Sequence, residues 1–110
     1  MKFPNEMQKL RTMLTEMGIK WQDKSDIYPE DKILDIMNRC NVSREIADVS
    51  IYRTHFNVIG CHYSVIWGYG TYGGEDGLLE MMVDDEDPTG WLTAEEIISS
   101  VQERIKQCQR

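Results

Sequence analysis

The chain has 110 residues, with 12 Lys+Arg against 19 Asp+Glu and a formal net charge of −7. That length fits one domain spanning 1–110 and leaves no room for a two-domain cofactor enzyme. A hydrophobic content of 41% and a charged content of 28% argue against disorder. The acidic balance argues against direct binding of nucleic acid or of an anionic membrane, since either wants a basic face.

Cys40, Cys61 and Cys108 form no CxxC pair and are odd in number, which points to free thiols in a reducing cytoplasm rather than to a disulfide framework. The opening residues carry no apolar run behind Lys2, so no signal peptide is expected, and the charge-free stretches lack the apolar continuity of a spanning helix.

Met7, Leu10, Met13, Leu14 and Met17 paint one face of a helix over 5–17, with Asn5 as its N-cap and Gly18 as its C-cap. Ile19 to Gln22 alternates as a short strand. Pro29 followed by Glu30 and Asp31 opens a second helix near 30–40, where Ile33, Leu34, Ile36, Met37 and Cys40 continue on a helical period. On this spacing Cys40 and Cys108 fall on buried helix faces. Residues 41–48 carry no clear signal.

From Val49 the period changes to two. Val49–Val58 and Cys61–Trp67 read as long strands joined by a turn at Ile59-Gly60, and Leu78–Val83 follows the glycine-rich stretch 68–77 as a third. Thr93 and Glu96 have capping-box spacing, and Ile97, Ile98, Val101, Ile105 and Cys108 line the face of a terminal helix. The expected fold is α+β: a three- to four-stranded antiparallel sheet, a meander at about 49–83, with the N- and C-terminal helices packed on one face.

Residues 68–73 match GxGxxG literally, but a strand follows instead of the helix a dinucleotide site requires, and Glu75 and Asp76 would repel a phosphate. The stretch reads either as a bulged β-connection whose glycines permit positive φ, or as a recognition loop projecting Tyr69, Thr71 and Tyr72. In the second case it would fold over a small molecule or nucleotide, with Arg53, His55, Thr71 and Tyr72 as contacts. His55 and His62 can meet across the hairpin, but a metal site wants three or four ligands, so no metal and no cofactor is expected. No motif supports catalysis, and the chain is read as no enzyme.

The charge map is more specific. Residues 1–53 hold equal numbers of acids and bases, whereas 54–103 hold no Lys or Arg against Glu75, Asp76, Glu80, Asp84, Asp85, Glu86, Asp87, Glu95, Glu96 and Glu103. Helix-start preferences account for Glu95 and Glu96 and solvation for part of the rest. The complete absence of cations suggests a partner face that competes for a basic groove.

Arg53–Phe56, Tyr63–Ile66, Gly70–Gly74 with Gly77–Glu80, and Gly90–Glu96 resemble a run found in short uncharacterised proteins of phages, prophages and mobile elements of Gram-positive gut bacteria. The likeness covers residues 50–100 and carries no site residues. It implies a host bacterial cytoplasm and, by context, an anti-defence role of the anti-CRISPR kind. The expected function is a phage-type acidic inhibitor of a basic host protein that normally binds nucleic acid. Glu75, Asp76, Asp84, Asp85, Glu86 and Asp87 would act as phosphate-like charges and Tyr69 and Tyr72 as anchors. The alternatives are the small-molecule module and a structural homodimeric interaction protein.

Overall fold

The computed structural model describes residues 4–108. The first helix, α1 (Asn5–Glu16), buries Met7, Leu10 and Leu14 along one stripe. Asn5 is its first helical residue; Pro4 holds the cap position, and among the described residues no side chain caps the end. The other end closes as the sequence implies: Gly18 takes φ +75°, its N–H donates to Thr15 O at 3.0 Å, and Ile19 N–H reaches back to Leu14 O at 2.9 Å. Both bonds occupy carbonyls that the helix end would leave unpaired.

Five antiparallel strands follow in chain order: β1 (Trp21–Asp23), β2 (Tyr52–Val58), β3 (Cys61–Trp67), β4 (Leu79–Val83) and β5 (Thr89–Leu92). Each pairs with its sequence neighbour. Ile59 and Gly60 both have positive φ, as a tight two-residue hairpin turn demands. The last strand is additional to the expected sheet. It pairs irregularly with β4, with Leu79 opposite Leu92, Met81 opposite Thr89 and a register shift between.

Helix α4 (Ala94–Cys108) starts at the expected capping box, where Glu96 N–H donates to Thr93 Oγ1 at 3.2 Å and Thr93 N–H to Glu96 Oε1 at 3.1 Å. Glu6 Oε1 accepts the Ala94 N–H at 2.8 Å, tying the first turn of α1 to the first turn of α4. The two helices cover one face of the sheet, burying Phe56, Val58, Tyr63, Val65, Trp67, Leu79 and Val83 against Leu10, Leu14, Ile97, Ile98 and Val101. Arg11 pins α1 to the sheet: its Nε donates to the buried Thr54 Oγ1 at 2.8 Å, another nitrogen reaches Asp23 at 3.2 Å, and the guanidinium lies 4.7 Å from the Trp21 ring centroid.

Between β1 and β2 the chain leaves the sheet as an arm. Its stem continues the ladder through paired Asp26 and Ile51, and its tip holds α2 (Glu30–Cys40) and the short α3 (Arg44–Ala47), which the sequence did not signal. The arm stretches the molecule to 57 × 23 × 22 Å and a radius of gyration of 15.5 Å, against about 13 Å for a compact chain of this size. This corrects the expectation for two cysteines. Helix α2 buries only Ile33, so Cys40 is exposed, and Cys108 is exposed in the final turn of α4, beyond the last fully buried position at Val101.

Candidate functional site

The glycine-rich connection between β3 and β4 is a knot of close contacts. Gly73 has φ +87° and, with Leu78 N–H donating to its carbonyl at 2.9 Å, closes the loop around a 3-10 turn at Gly74–Asp76. A Cβ on Gly74 would overlap Gly68 O, and one on Gly90 would overlap the Tyr72 side chain. Trp67 Nε1 donates to Gly74 O at 3.0 Å from a buried position. The Thr71 hydroxyl is engaged inside the loop, accepting Gly68 N–H at 3.1 Å and donating to Gly68 O at 2.9 Å. Within the stretch Gly73 and Gly77 take positive φ, while Gly74, like Gly90 beyond it, is required by close packing.

Tyr72 projects from this knot, 55% exposed, and stacks on Trp91 at 5.6 Å between centroids with 17° between the planes. Trp91 is itself 58% exposed and sits at φ +55°. A bulky residue in the left-handed region is a genuine outlier, and such strain concentrates at working sites. Sequence reasoning missed Trp91. It stood in the sequence only as one residue of the Gly90–Glu96 run, just ahead of the capping box.

The anticipated partner residues fall into two groups. Glu75 and Asp76 precede β4 with Tyr69 and Tyr72 beside them, whereas Asp84, Asp85, Glu86 and Asp87 form the turn after it. Five residues of strand separate the groups by about 17 Å. Tyr69 and Asp76 line one cleft of about 510 Å³ together with Glu6, Trp67 and Thr93. Asp84 has a structural duty: at φ +49° its Oδ1 accepts the His62 N–H at 2.8 Å while its own N–H donates to His62 O.

Among the described residues the ion pairs are Glu6–Lys9, Asp23–Arg11, Asp35–Arg39 and Glu30–Arg44. None involves an acid from 54–103, and of those acids Glu86 feels the charge of Arg104 without pairing with it. Arg104 approaches this half of the molecule from α4, but its guanidinium lies 5.9 Å from the Tyr63 ring centroid and donates to Cys61 Sγ at 3.2 Å.

The sheet face turned away from α1 and α4 carries Arg53, His55, Asn57, His62, Ser64 and Ile66. His55 and His62 do meet across the hairpin, with ring centroids 4.7 Å apart and the planes at 87°. Burial first, then the charges of His62, Arg53 and Lys24, hold His55 below the ordinary imidazole value. Among the described residues no three His, Cys, Asp or Glu side chains are grouped to hold a metal ion.

A second cleft, about 430 Å³, opens between the arm and the glycine knot, lined by Glu45, Ile46, Asp48, Val49, Ser50, Ile51, Ile66, Gly68–Thr71 and Glu80. Of the residues expected to contact a small molecule, only Thr71 lines it; Arg53, His55 and Tyr72 do not. No helix is long and apolar enough to cross a membrane among the described residues. No family model, curated protein sequence or solved structure matches this chain.

Proposed function

We propose that the chain is a non-catalytic acidic binding protein of phage type that inhibits a host defence or nucleic-acid-handling protein, for example a CRISPR effector, by occupying its basic groove. One observation carries this reading: among the described residues, no carboxylate between 54 and 103 has an ion-pair partner. A rigid surface presenting unpaired negative charge takes the place of phosphates before Arg and Lys side chains, steering encounter and setting specificity. The exposed Tyr72–Trp91 stack supplies the large, low-entropy contact area that binding sites concentrate. A nucleotide under the glycine loop is disfavoured, because the adjoining cleft is lined by Glu45, Asp48 and Glu80 and holds no Lys or Arg.

The test is affinity capture from bacterial lysate at low and high salt, followed by a competition. The captured basic protein is loaded with labelled nucleic acid, and the chain is expected to displace it, less well as salt rises. Capture of no nucleic-acid-binding protein, or capture without displacement, overturns the reading.

A further inference from the structure

The cleft between the arm and the glycine knot holds a side chain that folding leaves incomplete. Asp48 is 2% exposed and follows α3, its N–H donating to Arg44 O at 2.7 Å. Its Oδ1 accepts the Ser50 N–H at 3.0 Å. Its Oδ2 is buried and has no hydrogen-bond partner. A buried carboxylate oxygen stripped of water and left unpaired is costly, so the site wants a donor from elsewhere. Arg44 acts on Asp48 through its charge, but its guanidinium is engaged by both oxygens of Glu30 and makes neither a hydrogen bond nor an ion pair with Asp48.

The surroundings define what that donor is. Glu45 and Glu80 add two further carboxylates to the walls, with no cation among the lining residues, which excludes an anion. The acids are not grouped closely enough to hold a metal ion. Ile46, Val49, Ile51 and Ile66 give the walls an apolar side, and Ile46 and Val49 are 65% and 54% exposed. Tyr69 offers an aromatic ring. A buried acid within apolar and aromatic walls suits a weakly hydrated, planar cation on an alkyl stem.

We infer that this cleft receives one guanidinium group, the side chain of an arginine on the basic partner, seated against Asp48. The inference rests on reading the chain as a binder of basic surfaces, and it names the contact that a field of exposed carboxylates cannot specify. Because Oδ2 is closed to solvent in the free chain, the Asp48 side chain turns toward the cleft to accept from the guanidinium, whose methylene stem lies along Ile46 and Val49.

The experiment is a titration of isotope-labelled protein with N-acetyl-arginine-N-methylamide, followed by amide resonances, with the lysine and norleucine analogues as parallel probes. Saturable shifts confined to residues 45–51 and 66–71 are expected with the arginine probe, weaker ones with lysine and none with norleucine. Asp48→Asn keeps the acceptor for Ser50 N–H and removes the charge; it is expected to fold with an unchanged or higher Tm and to weaken the arginine probe at least about tenfold. Shifts that are absent from the cleft, equal for the three probes, or unchanged in affinity by Asp48→Asn overturn the inference. Should that variant fail to fold, the three probes on the wild-type protein decide. Salt-dependent capture of a basic protein that persists when the arginine probe shows no cleft binding sinks this site alone and leaves the broader reading standing.

Discussion

The Trp91 indole rests on the Tyr72 ring at 5.6 Å and holds that position with a backbone φ of +55°. Left-handed strain at a non-glycine residue costs about 1–3 kcal/mol, and an aromatic stack returns about 0.5–1.5 kcal/mol. Trp91→Gly loses the stack but relieves the strain, whereas Trp91→Ala loses the stack and keeps it. Glycine is therefore expected to be the more stable of the two variants by about 1 kcal/mol in urea unfolding. Both are expected to bind the basic partner less tightly. Equal stability would mean that the backbone at Trp91 is not strained.

Charge reversal separates the recognition acids from the structural one. Asp85, Glu86 and Asp87 are exposed, and replacing all three by Lys is expected to leave the Tm unchanged while abolishing salt-dependent capture of the partner. Asp84 behaves differently because it accepts the His62 N–H from a left-handed backbone. Asp84→Ala is expected to cost about 1–2 kcal/mol, whereas Asp84→Asn, which tolerates that backbone and keeps an acceptor, stays within about 0.5 kcal/mol.

The glycine knot predicts a contrast between two neighbours. Gly74→Ala drives a methyl group into Gly68 O and the Thr71 hydroxyl and is expected to destabilise by about 3 kcal/mol or more. Gly70→Ala meets nothing within 4 Å and is expected to change stability by less than about 0.5 kcal/mol. Chemical denaturation of the pair distinguishes a packed knot from a flexible flap, which would tolerate both.

His55 gives stability a pH dependence. Its folded pKa lies below the unfolded value of about 6.5. Between the two values the unfolded chain holds the extra proton, so the stabilisation is full above about pH 6.5 and is lost as pH falls through the folded value. The Tm is expected to decline as pH falls below about 6.5, and His55→Gln to flatten that decline. Asp23, held low first by Ser25 hydrogen bonds and then by Arg11, contributes only at more acidic pH.

The legible parts of the fold were those written locally. The α1 stripe, Gly18 at its end, the Ile59-Gly60 hairpin and the Thr93–Glu96 capping box all depend on residues within a few positions of one another. Strand β5 was not legible, because Pro88 and Gly90 read as turn signals and the pairing depends on Gly90 and Gly73 lying against Tyr72 and Trp91. The exposure of Cys40 was hidden for a related reason. An apolar stripe on α2 is written in the sequence, but whether another element covers it depends on an arm that leaves the sheet. The charge asymmetry was fully visible. Its division about β4 and the burial of Asp48 were not, since both follow from which segments the meander brings together.

The bond from Ala94 to Glu6 joins positions 88 apart in a chain whose strands otherwise pair with their immediate neighbours. From β2 to β5 such a sheet can zip from neighbour to neighbour at small loop-closure cost, whereas β1 must wait for the arm between Asp23 and Tyr52 to close. Docking of α1 beside α4 joins the first turns of two helices far apart in sequence and is expected to follow the rate-limiting step. Glu6→Gln, which keeps an acceptor for Ala94 but removes the charge at the helix start, is accordingly expected to speed unfolding and leave the folding rate nearly unchanged in stopped-flow measurements. The same docking makes the join between α1 and α4 the latch on which the lifetime of the native state depends.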